Sequence, residues 1–225
     1  MDLHAAALFR HDAAGRIVTT NEPDGDRAPR LYLGRTTAGN LWRFRDDLPT
    51  DLVRELDAIL TLEPAAADLH QPAACLAALH DALANHAPVV DTEQGPAWYF
   101  PDAIAPPSNV VTILPSTRHL LREHSPYTAE HLEDLQPCLA VVEDDVAVSI
   151  CATVRLTAAA AEAGVGTVPA YRGRGYATAV TAAWANAIRQ SGRIPLYSTT
   201  WDNTASRGVA RCLGLIPYAT DCSLT

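Results

Sequence analysis

The stretch VPAYRGRGYAT (168–178) sets two glycines and two arginines directly before a run of good helix formers, and no other segment constrains the chain as tightly. Glycine tolerates φ > 0 and lets backbone approach a ligand without a Cβ clash. A helix that begins just after such a turn offers unpaired N–H groups and the positive end of its dipole to an anion. Arg172 and Arg174 add charge and donors. The segment reads as a phosphate-binding turn at a strand-to-helix junction, so the chain must supply a strand before it and a helix after it.

The rest of the composition narrows which phosphate chemistry is open. All 17 basic residues are arginine. Without lysine there is no Schiff base to a carbonyl substrate or pyridoxal phosphate, and no lysine of the P-loop type. The net charge of −9 is uneven: residues 1–110 hold 8 Arg against 16 acids, while 171–215 hold six Arg against Asp202 alone. An acidic whole disfavours nucleic acid as a partner, whereas the local basic block suits a small phosphorylated ligand. No apolar run approaches the ~20 residues of a membrane span, and the charged start MDLHAAALFRHD argues against a secretory signal. Five cysteines without a CxxC pair point to a reduced, cytoplasmic protein with neither a disulfide framework nor a structural metal.

Periodicity divides the chain at the proline-containing segment PDAIAPPSN (101–109), giving an N-terminal α+β region at 1–107 and a second domain at 108–225. In the first, RLYLGRT (30–36) and LWRFR (41–45) alternate as a hairpin, residues 49–60 and 72–86 read as helices with Thr50 or Asp51 capping the former, and 96–100 as a short strand. In the second, 116–124 and 127–135 read as helices capped by Ser116 and Thr128. Strands follow at 138–143 and 146–156, joined by a tight Asp-Asp turn, and at 161–168. A helix at 176–190 ends at Gly192, and a strand (194–200), a helix (203–214) and a strand (216–224) complete the chain. The overall class is α/β (α+β), a mixed sheet flanked by helices.

Two elements in this second half carry a family resemblance. Arg172-Gly173-Arg174-Gly175-Tyr176-Ala177 fits the R/Q-x-x-G-x-G/A signature of the GNAT superfamily of acyl-CoA-dependent N-acyltransferases. Asn203, Ser206 and the later Leu213-Gly214-Leu215 resemble that family's N-x-x-A/S and LGF segments, at matching spacing and with a strand between. The resemblance covers roughly residues 110–225 and implies a GNAT-type mixed central sheet with acetyl-CoA as co-substrate and no metal. It implies that backbone N–H groups from Arg172 through Gly173, Arg174, Gly175 and Tyr176 to Ala177 bind the pyrophosphate. It further implies that Thr167, Val168 and their strand pair with the pantetheine arm, and that Asn203 with Ser206 contacts that arm.

Direct transfer of acetyl to an amine needs a group to take the amine's proton and a donor for the oxyanion. Glu162 is the candidate base, with strand alternation setting it on the face opposite Thr167 unless a bulge intervenes. A backbone N–H near Thr167 or Val168 is the candidate oxyanion donor. Many relatives place an acidic Tyr seven residues after the Asn, where this chain has Ala210; Tyr197, Tyr218 or Ser206 could replace it. Trp98, Tyr99 and Phe100 either line an acceptor pocket or belong to the core, and His119, His124 and His131 read as surface residues. The expected acceptor is a small-molecule or peptide amine, which the acidic N-terminal region would attract; a homodimer remains open. A protein that keeps the cofactor cleft without catalysing transfer is the competing reading, and the N-terminal region is either a degenerate GNAT-like half or a lid on the acceptor site.

Overall fold

The computed structural model describes residues 1–102, 104 and 108–225. The domain boundary expected at 107/108 falls beside residues outside that description. By contacts the chain forms two compact units, one of residues Met1–Ala97, Thr199–Asp202 and Pro217–Thr225, the other of Trp98–Ser198 and Asn203–Ile216.

The first unit opens with a helix, α1 (Asp2–Leu8), and a two-stranded ribbon, β1 (Phe9–His11) against β2 (Ile17–Thr20). The expected hairpin follows as β3 (Leu31–Thr36) and β4 (Gly39–Phe44), with Leu31 opposite Phe44 and Thr36 opposite Gly39. Next come α2 (Thr50–Thr61), α3 (Leu76–His86) and β5 (Thr92–Tyr99). Alternation along β3 decides its packing. Leu31 and Leu33 are fully buried in a core with Leu56, Leu60, Leu79 and Leu83 of the two helices, whereas Tyr32 joins Ala5, Phe9 and Ile17 in a separate cluster. Each such fully buried aliphatic side chain contributes about 1.5–3 kcal/mol.

The second unit runs β6 (Val111–Thr112), a 3-10 turn (Pro115–Leu121), α4 (Pro126–Glu130), β7 (Cys138–Glu143), β8 (Val146–Leu156), β9 (Ala160–Thr167), α5 (Tyr176–Gln190), β10 (Ile194–Ser198) and α6 (Thr204–Cys212). Its strands lie in the order β10-β9-β8-β7-β6, antiparallel except for the β9–β10 pair. On one face Val180, Trp184 and Ile188 of α5 and Ala210 of α6 close over Ala161, Ala163 and Cys151. On the other, Leu121, Ala129 and Leu132 cover Ala140, Ile150 and Ala152. The buried Trp184 indole finds its polar partner in Thr153 Oγ1 at 3.0 Å. The last strand, β11 (Ile216–Leu224), returns to the first unit and pairs antiparallel with β3, Leu224 opposite Leu31 and Thr220 opposite Arg35. No helix among the described residues is long and apolar enough to cross a membrane.

Several local expectations differ from what forms. The helix expected from residue 72 starts at Leu76, because the N–H groups of Ala74 and Cys75 turn to the buried Glu63 carboxylate at 3.2 and 2.8 Å instead of opening a helix. Neither Thr50 nor Asp51 caps α2, whose preceding residue is Pro49. The segment at 116–124 is a 3-10 turn stabilised by Thr117, whose hydroxyl accepts from Leu114 N at 2.9 Å, and α4 is a single short stretch with no side-chain cap. The Asp144-Asp145 turn forms with φ of 48° and 59° at its two residues, the left-handed geometry of a tight hairpin. Gly192, at φ 79°, follows α5 and donates to Arg189 O at 2.9 Å as a C-terminal stop.

Candidate active site

The Gly-Arg turn lies where the sequence places it, between β9 and α5. Gly173 and Gly175 adopt φ of 76° and 80°, and a Cβ at either would meet nothing within 4 Å. Conformation, not crowding, therefore requires glycine here, and the space above the turn is open. Gly175 is the residue before α5, and no side chain caps that helix. Its first-turn N–H groups, at Tyr176 and Ala177, accordingly face outward as donors for an anion. Arg172 Nε donates to Thr167 O at 3.2 Å, and the Arg174 guanidinium lies 4.9 Å from the Tyr171 ring centroid, a cation–π contact. The Tyr176 hydroxyl donates to Glu143 Oε1 at 2.5 Å, and this bond to a carboxylate raises the phenol's pKa.

The strands leading to the turn diverge. The parallel β9–β10 ladder has three pairs and ends at Glu162 opposite Leu196. Beyond that point β9 runs on to Thr167 with its other edge bonded to β8. Because Val168 N donates to Val148 O at 2.9 Å, Thr167 and Val165, opposite Ser149 and Cys151, occupy non-hydrogen-bonded positions of that ladder. Their N–H groups turn away from β8 toward the gap. The gap is an edge onto which an extended ligand with amide groups can pair. Val168 N–H, one of the expected oxyanion donors, is committed to the sheet.

Glu162 sits at the vertex of this gap, 2% exposed, with the Ser198 hydroxyl donating to its Oε1. The bulge in this region lies on β8, where Val154 is the extra residue between Thr153 and Arg155. Alternation on β9 is unbroken, so Glu162 is on the face opposite Ala161, Ala163 and the helix α5. Tyr197, the other candidate catalytic residue, belongs to the α5 face: it packs with Trp98, Phe100 and Val209, and its hydroxyl donates to Ser206 O at 3.5 Å. The two therefore point to opposite faces of the sheet. Burial pushes the Tyr197 phenol up to about 12.

Asn203 caps α6, its Oδ1 accepting from Ser206 N at 3.0 Å. That bond uses the amide oxygen and leaves the amide's N–H donors pointing elsewhere. Ala210 is buried in the core beneath α5. Trp98 and Phe100 belong to that same core, which assigns these two to packing, whereas Tyr99 is exposed.

One contributor escaped the sequence reading. A cleft of about 310 Å³ opens beside the C-terminal end of β9, lined by His124, Ser149, Thr167, Val168 and Arg172 among others. Ser149 Oγ and Thr167 Oγ1 lie 2.8 Å apart within it, and His124 comes from the loop before α4. Its spacing from His119 and His131 gave no sign of this, since only the fold brings the loop to β9. No group of three or more His, Cys, Asp or Glu among the described residues could hold a metal ion. The first unit has its own open cleft of about 470 Å³. There the His70 and Trp201 rings stand 5.0 Å apart beside Asp91, Glu93 and Asp202.

Comparison with known proteins accords with this geometry. A family model described as GNAT acetyltransferase matches residues 137–219. A GCN5-related N-acetyltransferase-like protein from Streptococcus suis is 18% identical, aligns over 88% of this chain and 85% of its own with a TM-score of 0.50, and shows the same fold. A GNAT-family protein from Novosphingobium aromaticivorans is 19% identical over 60% of this chain and 65% of its own, at a TM-score of 0.49. A GNAT-family acetyltransferase from Colwellia psychrerythraea is 11% identical over 61% of this chain and 58% of its own, at a TM-score of 0.46. The chain thus spans less than two thirds of the length of those last two structures. No curated protein matches the sequence. The phosphate-type turn and the strand gap that leads to it both lie within residues 137–219, the span that matches the GNAT acetyltransferase family model.

Proposed function

We propose that the protein is an acyl-CoA-dependent N-acyltransferase that moves acetyl from acetyl-CoA to an amine. The observation that carries the reading is the β9–β10 gap, with a buried carboxylate at its vertex and an uncapped helix N-terminus at its mouth. Glu162 and Thr167 are five residues apart, roughly 16 Å along an extended strand. A phosphate group at the turn and a thioester near Glu162 are thus bridged by a long extended arm, which the outward N–H groups of Val165 and Thr167 can pair.

In this reading acetyl-CoA supplies the thioester carbon that the amine nitrogen attacks, and the C–S bond breaks as the amide forms. Glu162 accepts the proton lost by the amine, with the Ser198 hydroxyl holding the carboxylate in place. The Val165 N–H, the nearer of the two outward donors to Glu162, stabilises the oxyanion; Thr167 lies too far toward the mouth. The thiolate leaves as a group of pKa about 8.5 and takes a proton from water, so no protein acid is required. The amine class of acceptor draws support from charge alone, since residues 1–110 hold 16 acids against 8 Arg and so attract a cation by long-range steering.

The test is thermal unfolding with and without acetyl-CoA for the wild type and Gly175→Glu, followed by thiol release against a set of amines. A ligand at one hundred times its dissociation constant stabilises by about 2.7 kcal/mol. A shift confined to the wild type, with amine-dependent thiol release, supports the proposal. A shift without release from any amine leaves a binding protein, and no shift in either overturns both readings.

A further inference from the structure

The donors of the phosphate turn are N–H groups at the start of a helix that lacks a side-chain cap, reached through two glycines with left-handed φ. Such a segment has little intrinsic stiffness. Glycine restricts its own backbone least, and a Cβ at Gly173 or Gly175 would touch nothing that could hold the turn. Two side-chain bonds bracket it. On the entry side Arg172 Nε closes back on Thr167 O at 3.2 Å. On the exit side the Tyr176 hydroxyl reaches Glu143 Oε1 at 2.5 Å. Tyr176 is the first residue of α5, so its own N–H is one of the turn's donors.

Glu143 is well placed to serve as an anchor. It is the last residue of β7 and pairs directly with Val146 across the two-residue Asp144-Asp145 hairpin turn. Hairpins of this kind fix the register of both strands, so the carboxylate projects from a rigid point of the sheet. The geometry points to the Glu143–Tyr176 pair as a positioning device for the phosphate turn: the sheet holds Glu143, Glu143 holds the Tyr176 ring, and the ring fixes the first N–H groups of α5 toward the bound pyrophosphate. This deepens, and rests on, the acyl-CoA reading of the site. Glu143 here is a positioning residue that acts through Tyr176 and does not itself touch the ligand.

The device predicts a loss that is specific to the phosphate end of the ligand. Dissociation constants of coenzyme A and of pantetheine, which lacks the pyrophosphate, are measured by calorimetry for the full-length wild type, Tyr176→Phe, Glu143→Ala, Glu143→Gln and the Phe/Ala double variant. A lost hydrogen bond to a charged group weakens binding roughly tenfold. Tyr176→Phe and Glu143→Ala each weaken coenzyme A by that order, and the double variant is no worse than either alone, because both remove the same bond. Glu143→Gln keeps an acceptor oxygen and recovers most of the affinity. Pantetheine binding is unchanged throughout. Additive losses in the double variant, equal losses for pantetheine, or full affinity in Tyr176→Phe overturns the proposal. Failure of the wild type itself to bind coenzyme A overturns the acyl-CoA reading instead, and is told apart by that one titration.

Discussion

Glu162 and Leu196 form the last pair of the parallel β9–β10 ladder, and past them the two strands share no further pairing. A carboxylate at that position is buried by the sheet and still adjoins open backbone. That combination makes it a better base candidate than any exposed acid of the chain.

Replacement of Glu162 by Gln tests this. The glutamine side chain still accepts from Ser198, so folding is preserved, but it cannot take a proton. Turnover in the thiol-release assay falls by about 10²–10⁴-fold while the acetyl-CoA dissociation constant stays within a factor of about two. A variant as active as the wild type would remove Glu162 from the mechanism.

Tyr197→Phe has the opposite signature. The hydroxyl is buried, points to the α5 face and makes one long bond at 3.5 Å. Its loss lowers stability by about 1 kcal/mol, a melting shift of about 2–4 °C, with turnover unchanged. A large loss of turnover without a stability change would restore Tyr197 as an acid.

Gly175→Ala separates conformation from space. The added methyl has room, but φ of 80° is unfavourable for an L-residue. The expected cost is about 1–2 kcal/mol, seen as a lower melting temperature. Because the same strain turns the first N–H groups of α5, acetyl-CoA affinity falls as well, while Gly214→Ala, at φ 62° away from the turn, loses stability alone.

Removing one partner of the Arg35–Glu63 pair has a purely structural effect. Arg35 Nη2 lies 3.1 Å from Glu63 Oε1, with side-chain exposures of 7% and 0%. Glu63→Ala strands the guanidinium and two backbone donors, and costs about 3–5 kcal/mol in chemical denaturation. Partial recovery in an Arg35→Met, Glu63→Leu double variant would isolate the share due to the stranded charge, since the N–H groups of Ala74 and Cys75 lose their acceptor in both variants.

Alkaline pH supplies a further check. Burial raises the thiols of Cys75, Cys138 and Cys222 and the phenol of Tyr197 up to about 12. A raised folded-state pKa favours the protonated group in the native protein. The associated stability is therefore fully present below the unfolded values, about 8.5 for thiols and 10 for the phenol, and is lost as pH rises through about 12. Melting temperature falls steadily above pH 9, and a flat profile to pH 12 would refute the burial of these groups.

Most of the second unit was legible because its signals are local. The periodic face of α5, the Asp-Asp hairpin and the Gly-Arg turn each declare themselves within a dozen residues. What escaped was short or distant. Residues 2–20 form a seven-residue helix and a ribbon of three and four residues, too brief to show a period. Glu143 and His124 owe their positions to residues distant in sequence, Tyr176 for the former and the ends of β8 and β9 for the latter, which no local pattern encodes. The start of α3 was misread because a buried carboxylate outcompeted a helical turn for two N–H groups. The face taken by Glu162 depends on where the bulge falls, which is on the neighbouring strand and not on β9 itself.

The return of β11 to β3 has a consequence for how the chain is made. The strand that pairs with β3 lies beyond the whole second unit in the sequence, so residues Met1–Ala97 are synthesised with one edge of β3 bare. During synthesis the second unit, whose residues form one nearly continuous span, can close first, while Leu31 and Leu33 wait for Leu224 and Cys222. A nascent chain stalled before residue 217 presents an unpaired hydrophobic strand to any neighbour. Chaperone demand is therefore greatest while β3 is exposed, and it is relieved once β11 has been made.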